Sequence, residues 1–186
     1  LENTLPIQRK LAQSQEQSSA ALPDLLQTLQ SLAETQASAG QIILADEHRQ
    51  EANLIEELLE AERAVQDAEA LAREDWVANA TLLADCLNDF SVSLAEYGKR
   101  FWALQTVAWA AQIREELARQ NPAVHEPELA GSLYNHAILL PALDAIPHLQ
   151  RAQRLIAPYA LPGTSYENVR QKIERALQQR QAQVAA

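Results

Sequence analysis

The chain contains no methionine, one cysteine, four glycines and only 5% aromatic residues among its 186 positions. Each scarcity excludes something. A lone thiol, Cys86, rules out a disulfide within the chain and any cysteine-based metal cluster. A cytoplasmic location is compatible with that thiol and is expected. Scarce glycine and aromatics, with long segments between turn signals, argue against sheets and for helices packed through small side chains. No apolar run is long enough to span a bilayer, and the first residues lack the apolar core of a signal peptide. Without methionine, Leu1 reads as the start of an excised or processed segment.

What is abundant is alanine, leucine and negative charge. The net charge of −10 disfavours nucleic acid and anionic membrane surfaces, both of which require a basic footprint. Apolar content of 47% is enough for a real core.

Helical spacing and proline punctuation divide the chain. A first helix is expected over about 5–15, carrying Ile7 and Leu11, followed by one from Pro23 to Ser38 with Leu25, Leu29 and Leu32 inward. Gly40 stops it. A long helix over 41–75 holds most of the acidic residues, read as a solvated face, and shows no marker for a break. Its apolar stripe includes Ile55, Leu58, Val65 and Leu71. Helices over 76–97 and 99–119 follow, separated by Gly98. Another opens at Pro127 and ends at Leu140-Pro141, where proline cannot continue the ladder. The next carries Ala145 and Ala152. A last helix over 166–183 is capped by Thr164 or Ser165, with Val169, Ile173 and Leu177 inward and Arg170, Lys172, Arg175 and Arg180 toward solvent.

Small residues recur at equivalent places. Ala33, Ser91 and Ala137 mark the first helix of each pair. Ala45, Ala103 and Ala145, then Ala52, Ala110 and Ala152, mark the second. Ala103 and Ala145 lie 42 residues apart, as do Ala110 and Ala152, whereas Ala45 and Ala103 lie 58 apart. The first repeat therefore carries an insertion. Small side chains at such points let two helices approach closely while leucines fill the flanks.

The pattern resembles the tetratricopeptide repeat, in the long-period form of kinesin light chains. The residues that carry the likeness are Cys86-Leu87-Asn88-Asp89-Phe90-Ser91 with Gly98 and Ala103-Leu104, and Ser132-Leu133-Tyr134-Asn135-His136-Ala137 with Ala145-Ile146, the latter without the glycine. An unrelated helical bundle is the alternative, because alanine and leucine at helical spacing are common. The resemblance implies an all-α, right-handed α-solenoid of antiparallel helix pairs, with irregular repeats and a C-terminal capping helix. It would form one domain over 1–186: a partial repeat at 1–21, repeats at 22–75, 76–122 and 127–160, and the capping helix at 164–183.

What the resemblance implies for function is a non-catalytic scaffold, the adaptor or sensor segment of a larger signalling protein. It would bind a partner peptide or helix on a concave face lined by the first helices. Carried onto this sequence, that face comprises Gln27, Gln30 and Glu34, then Asp85, Asn88 and Val92, then Gly131, Tyr134 and Ile138. Asparagine pairs with a peptide backbone, and tyrosine adds area with a polar tip. None of these positions is Lys or Arg, so an acidic tail is disfavoured and a neutral or basic segment is favoured. A self-associating array, the basic C-terminal third against the acidic middle, is the alternative.

Catalysis finds no support in the sequence. His48, His125, His136 and His148 show no metal-protease or Cys/His spacing. The acidic pairs Glu56/Glu60 and Asp85/Asp89 lack an acid–base partner, and there is no phosphate-binding glycine loop. No cofactor is expected, and Asp46, His48 and Glu51 read as helix surface rather than as a metal site. Cys86 and the tryptophans Trp76, Trp102 and Trp109 read as packing residues, with partial exposure the alternative for Trp102.

Overall fold

Helix termination and small-residue contacts explain most of what the chain does. The computed structural model describes residues 18–185, so the helix expected over 5–15 lies outside the described residues. Those described form helices joined by short turns, with no strand among them: α1 (Ser18–Ser38), α2 (Ile42–Glu74), α3 (Trp76–Glu96), α4 (Arg100–Gln120), α5 (Pro122–Ile138), α6 (Ala142–Ile156) and α7 (Ser165–Ala185). None of these helices is long and apolar enough to cross a membrane. Two compact units result, the first ending at Arg63 and the second beginning at Ala64, within α2.

In the first unit, Leu25, Leu29, Leu32 and Ala33 of α1 and Ala45, Ala52, Ile55 and Leu58 of α2 are buried. The turn between the helices is glycine-dependent. Gly40 adopts φ +78°, and Gln41 donates its N–H to the Gln36 carbonyl at 2.8 Å, which satisfies a helix-end acceptor in a Schellman arrangement. His48 Nδ1 lies 2.8 Å from Gln36 Oε1 and ties α2 to α1. Helix α1 starts at Ser18, a turn and more before the Pro23 start that the sequence predicts.

The second unit begins with the last turns of α2. Val65, Ala68 and Ala72 share a core cluster with Ala80, Leu83, Ala84 and Leu87 of α3 and with Ala110 and Ile113 of α4. A single residue, Asp75, links α2 to α3. Its carboxylate caps α3 by accepting from the Ala78 amide at 3.1 Å. Asn79 Nδ2 donates to the carbonyls of Leu71 and Asp75. Gly98, at φ +84°, repeats the Gly40 device, with Lys99 donating to the Leu94 carbonyl at 2.7 Å. Between α5 and α6 no glycine is needed, because Pro141 starts α6 at once.

Helices α3 to α7 pack in sequence, each on the next. Helix α3 also touches α5, and α5 touches α7. On the other side, α4 and α6 are bridged by the ion pair of Glu115 with Arg151. A second core cluster joins Leu129 and Leu133 of α5, Leu149 and Ile156 of α6, and Ile173 and Leu177 of α7.

The small-residue anchors behave as their spacing predicts. Ala45, Ala103, Ala110, Ala137, Ala145 and Ala152 are all fully or almost fully buried, and so are Ala33, Ala52 and Ser91. Other expectations need correcting. Helix α5 starts at Pro122 with Pro127 inside it, so the linker before Pro127 is a further helical turn. Pro122 at the first helical position has no N–H to orphan, which suits that start. Pro23, Pro127 and Pro147 thus each sit within a helix. Leu71 is 43% exposed and leaves the apolar stripe. Arg170 is only partly exposed, lies 3.7 Å from Glu174, and has a buried Nε. Thr164 directs its hydroxyl back to the Leu161 carbonyl rather than capping α7. The acidic 41–75 segment is one continuous helix, Ile42–Glu74.

A methyl group marks each point of close helix approach, so enlargement there has to push helices apart. Ala145→Leu is expected to lower stability by about 1–3 kcal/mol, read as a reduced urea midpoint with an unchanged slope. An unchanged midpoint contradicts the close approach of α6 to its neighbours.

Candidate interaction site

The side chains that join α3, α4 and α5 centre on Arg114. This residue sits among Val107, Ala110, Ala111 and Ala118, on the apolar face of α4, and is itself buried. A buried guanidinium must find acceptors. Nη2 donates to Asp85 Oδ1 of α3. Nη1 donates to the Glu128 carbonyl at 3.1 Å and to Ser132 Oγ, both of α5. Nε has no partner among the described residues.

The network continues outward. Ser132 Oγ donates to Asn88 Oδ1 at 3.3 Å, and Asn135 Nδ2 donates to the same oxygen at 3.2 Å. Ser91 Oγ donates to the Asn88 carbonyl at 2.6 Å. A chain of polar contacts therefore runs from the core of α4 to the surface between α3 and α5.

At that surface lies a groove of about 260 Å³, lined by Ser91, Val92, Ala95 and Glu96 of α3 and by Asn135, Ile138 and Leu139 at the end of α5. Val92 and Ile138 expose 38% and 39% of their surface. Arg180 of α7 donates to the Ile138 carbonyl at 3.0 Å.

The residues assigned from sequence divide three ways. Val92 of α3 and Ile138 of α5 both line the groove. Asp85 and Asn88 turn their side chains to the polar network. Gly131 and Tyr134 lie half-buried on α5, with Tyr134 packed against the α5–α7 core. A Cβ at Gly131 would meet nothing within 4 Å, so no close approach requires glycine there. Gln27, Gln30 and Glu34 are exposed along α1 in the first unit.

Sequence reasoning passed over Arg114, Ser132, Asn135 and Glu96. Arg114 had a readable signal: a cation at a position where the apolar spacing of α4 demands a core residue. The partial exposure expected as an alternative for Trp102 extends to all three tryptophans. Trp76, Trp102 and Trp109 are 45%, 44% and 39% exposed, and Trp102 meets Phe101 edge-on with ring centroids 5.4 Å apart.

The other titratable groups with a shifted pKa include a cysteine and a histidine. Burial, followed by the carboxylates of Asp89 and Asp85, raises the Cys86 pKa above its ordinary value and keeps the thiol protonated. Among the described residues no group of three or more His, Cys, Asp and Glu side chains converges as a metal site would. His136 of α5 and His148 of α6 stack edge-on, with centroids 4.7 Å apart. Burial, and then the neighbouring His148, lowers the His136 pKa. Comparisons of the chain with protein-family models, with curated proteins and with solved structures find no match.

Two measurements test this geometry. Asp85→Ala removes the carboxylate partner of a buried cation. Half the Asp85 side chain is exposed, so water recovers part of the loss, and the expected cost is about 1–2 kcal/mol. In an Arg114→Met background the same change is expected to cost less, by a coupling of at least about 0.5 kcal/mol. Additive losses contradict the network. The His136 test is one of pH. A histidine whose folded pKa lies below the unfolded value of 6.5 contributes full stability above 6.5, and this is lost as pH falls toward the folded pKa. The urea midpoint is therefore expected to fall from about pH 7.5 to about pH 5.5, and to fall less in His136→Gln. Equal declines in the two proteins contradict the assignment.

Proposed function

We propose that this chain is a non-catalytic interaction scaffold, a tetratricopeptide-like right-handed solenoid that holds a peptide or helix of a partner protein on the face carrying α3 and α5. In that reading it is the adaptor or sensor segment of a larger cytoplasmic signalling protein. The observation that carries the reading is the mostly apolar groove between α3 and α5, lined by the exposed side chains of Val92 and Ile138 together with Glu96 and Asn135.

Helix spacing adds support. Contacts between alternate helices occur along α3, α5 and α7, while α4 and α6 are joined through the long side chains of Glu115 and Arg151. An array drawn together on one side curves toward that side, and stacked repeats use the resulting concavity for binding. Stabilisation by a network centred on Arg114 also favours recognition, because a preorganised groove loses less entropy when it is filled.

The test compares the natural chain with a Val92→Lys, Ile138→Lys double variant. Both positions are exposed and lysine is a good helix former, so helicity should be retained. Affinity capture from native lysate is expected to recover a partner with the natural chain and to lose it with the variant. A partner held equally by both contradicts the proposal and moves the site off this face. Concentration-dependent oligomers by light scattering, with nothing captured, support self-assembly instead.

A further inference from the structure

The groove between α3 and α5 narrows the chemistry of what fills it. Its volume of about 260 Å³ lies below the range of roughly 300–1,000 Å³ typical of small-molecule and cofactor sites. Space of that size, walled by Val92, Ala95, Ile138 and Leu139, accommodates one aliphatic side chain and the backbone beside it. One polar side chain of the lining is oriented. Asn135 donates through Nδ2 to Asn88, and its Oδ1 accepts no bond among the described residues. An acceptor beside an apolar slot complements a backbone N–H.

Charge supplies the third term. Asp89, Val92 and Glu96 follow one another along α3 at helical spacing, all exposed. Neither carboxylate has an ion-pair partner among the described residues. Arg180, which reaches the α5 end of the groove, is engaged by the Ile138 carbonyl and by Gln183 Oε1. The α3 wall therefore presents an apolar centre between two carboxylates that lack a cation.

We propose that the groove receives a leucine, isoleucine or valine side chain of a partner segment, with the segment's backbone N–H donating to Asn135 Oδ1. A lysine or arginine next to that anchor lies against Asp89 or Glu96. The occupant is thus a basic, aliphatic-anchored peptide, and the assignment rests on the scaffold reading above.

An array of end-blocked synthetic peptides, varied position by position through the standard amino acids, tests it. The natural chain is expected to prefer an aliphatic residue at one position with lysine or arginine beside it. Asp89→Lys with Glu96→Lys is expected to weaken binding to the basic peptides by about tenfold or more and to turn the flanking preference acidic. Because both positions are exposed, circular dichroism should show an unchanged fold. Glu96→Gln alone gives a milder change in the same direction if the double variant is misfolded. A peptide preference that both variants leave unchanged, or one for aromatic or acidic anchors, overturns this assignment while leaving the scaffold reading in place. An array on which the natural chain holds no peptide overturns both.

Discussion

A guanidinium buried between three helices is the constraint from which the second unit's arrangement follows. Arg114 cannot remain uncompensated in a low-dielectric interior. Its donors therefore fix where Asp85 of α3 and Ser132 and the Glu128 carbonyl of α5 must lie. An aliphatic side chain at this position could slide against its neighbours with little loss. A fork of directional donors cannot, because each small displacement of α3 or α5 breaks a charge-assisted bond. The alanines of α4 bring the helices together, and Arg114 sets their register.

That register has a surface consequence. Ser132 and Asn135 lie three residues apart on α5 and both donate to Asn88 Oδ1, so the spacing set in the core reappears at the groove. Val92 and Ile138 line one groove where Asp85 and Asn88, two turns and one turn earlier on α3, are bound to α4 and α5. The polar residues Asp85 and Asn88, which a peptide-binding reading assigns to ligand contact, are instead hydrogen-bonded within the protein and tie α3 to α4 and α5 beside the groove. Asn88 illustrates the point: its carbonyl oxygen is occupied within the protein, while Asn135 beside it offers the open acceptor.

Much of the architecture was legible in the sequence. The alanines at 103, 110, 145 and 152 and the serine at 91 mark where helices touch, and all are buried. Gly40 and Gly98 mark turns, and both adopt positive φ. Helix starts were harder to read, because Pro23 and Pro127 look like first-turn residues yet lie inside helices that begin earlier. Local propensity does not register the extra turn. For the groove, Val92 and Ile138 were among the positions taken from the repeat pattern and both line it, but Arg114 was not among them. Helical periodicity counts apolar residues, and a cation on the apolar face interrupts the count without announcing that its partners lie 14 to 29 residues away in the chain.

Amide hydrogen exchange on Arg114→Met measures this dependence most directly. The account predicts that amides of α3 around Ser91–Ala95 and of α5 around Asn135–Leu139 lose protection together, while those around Leu149, Ile156 and Ile173 in the α6–α7 core keep theirs. Protection that is unchanged, or lost evenly across the second unit, would contradict the claim that the Arg114 network holds the groove.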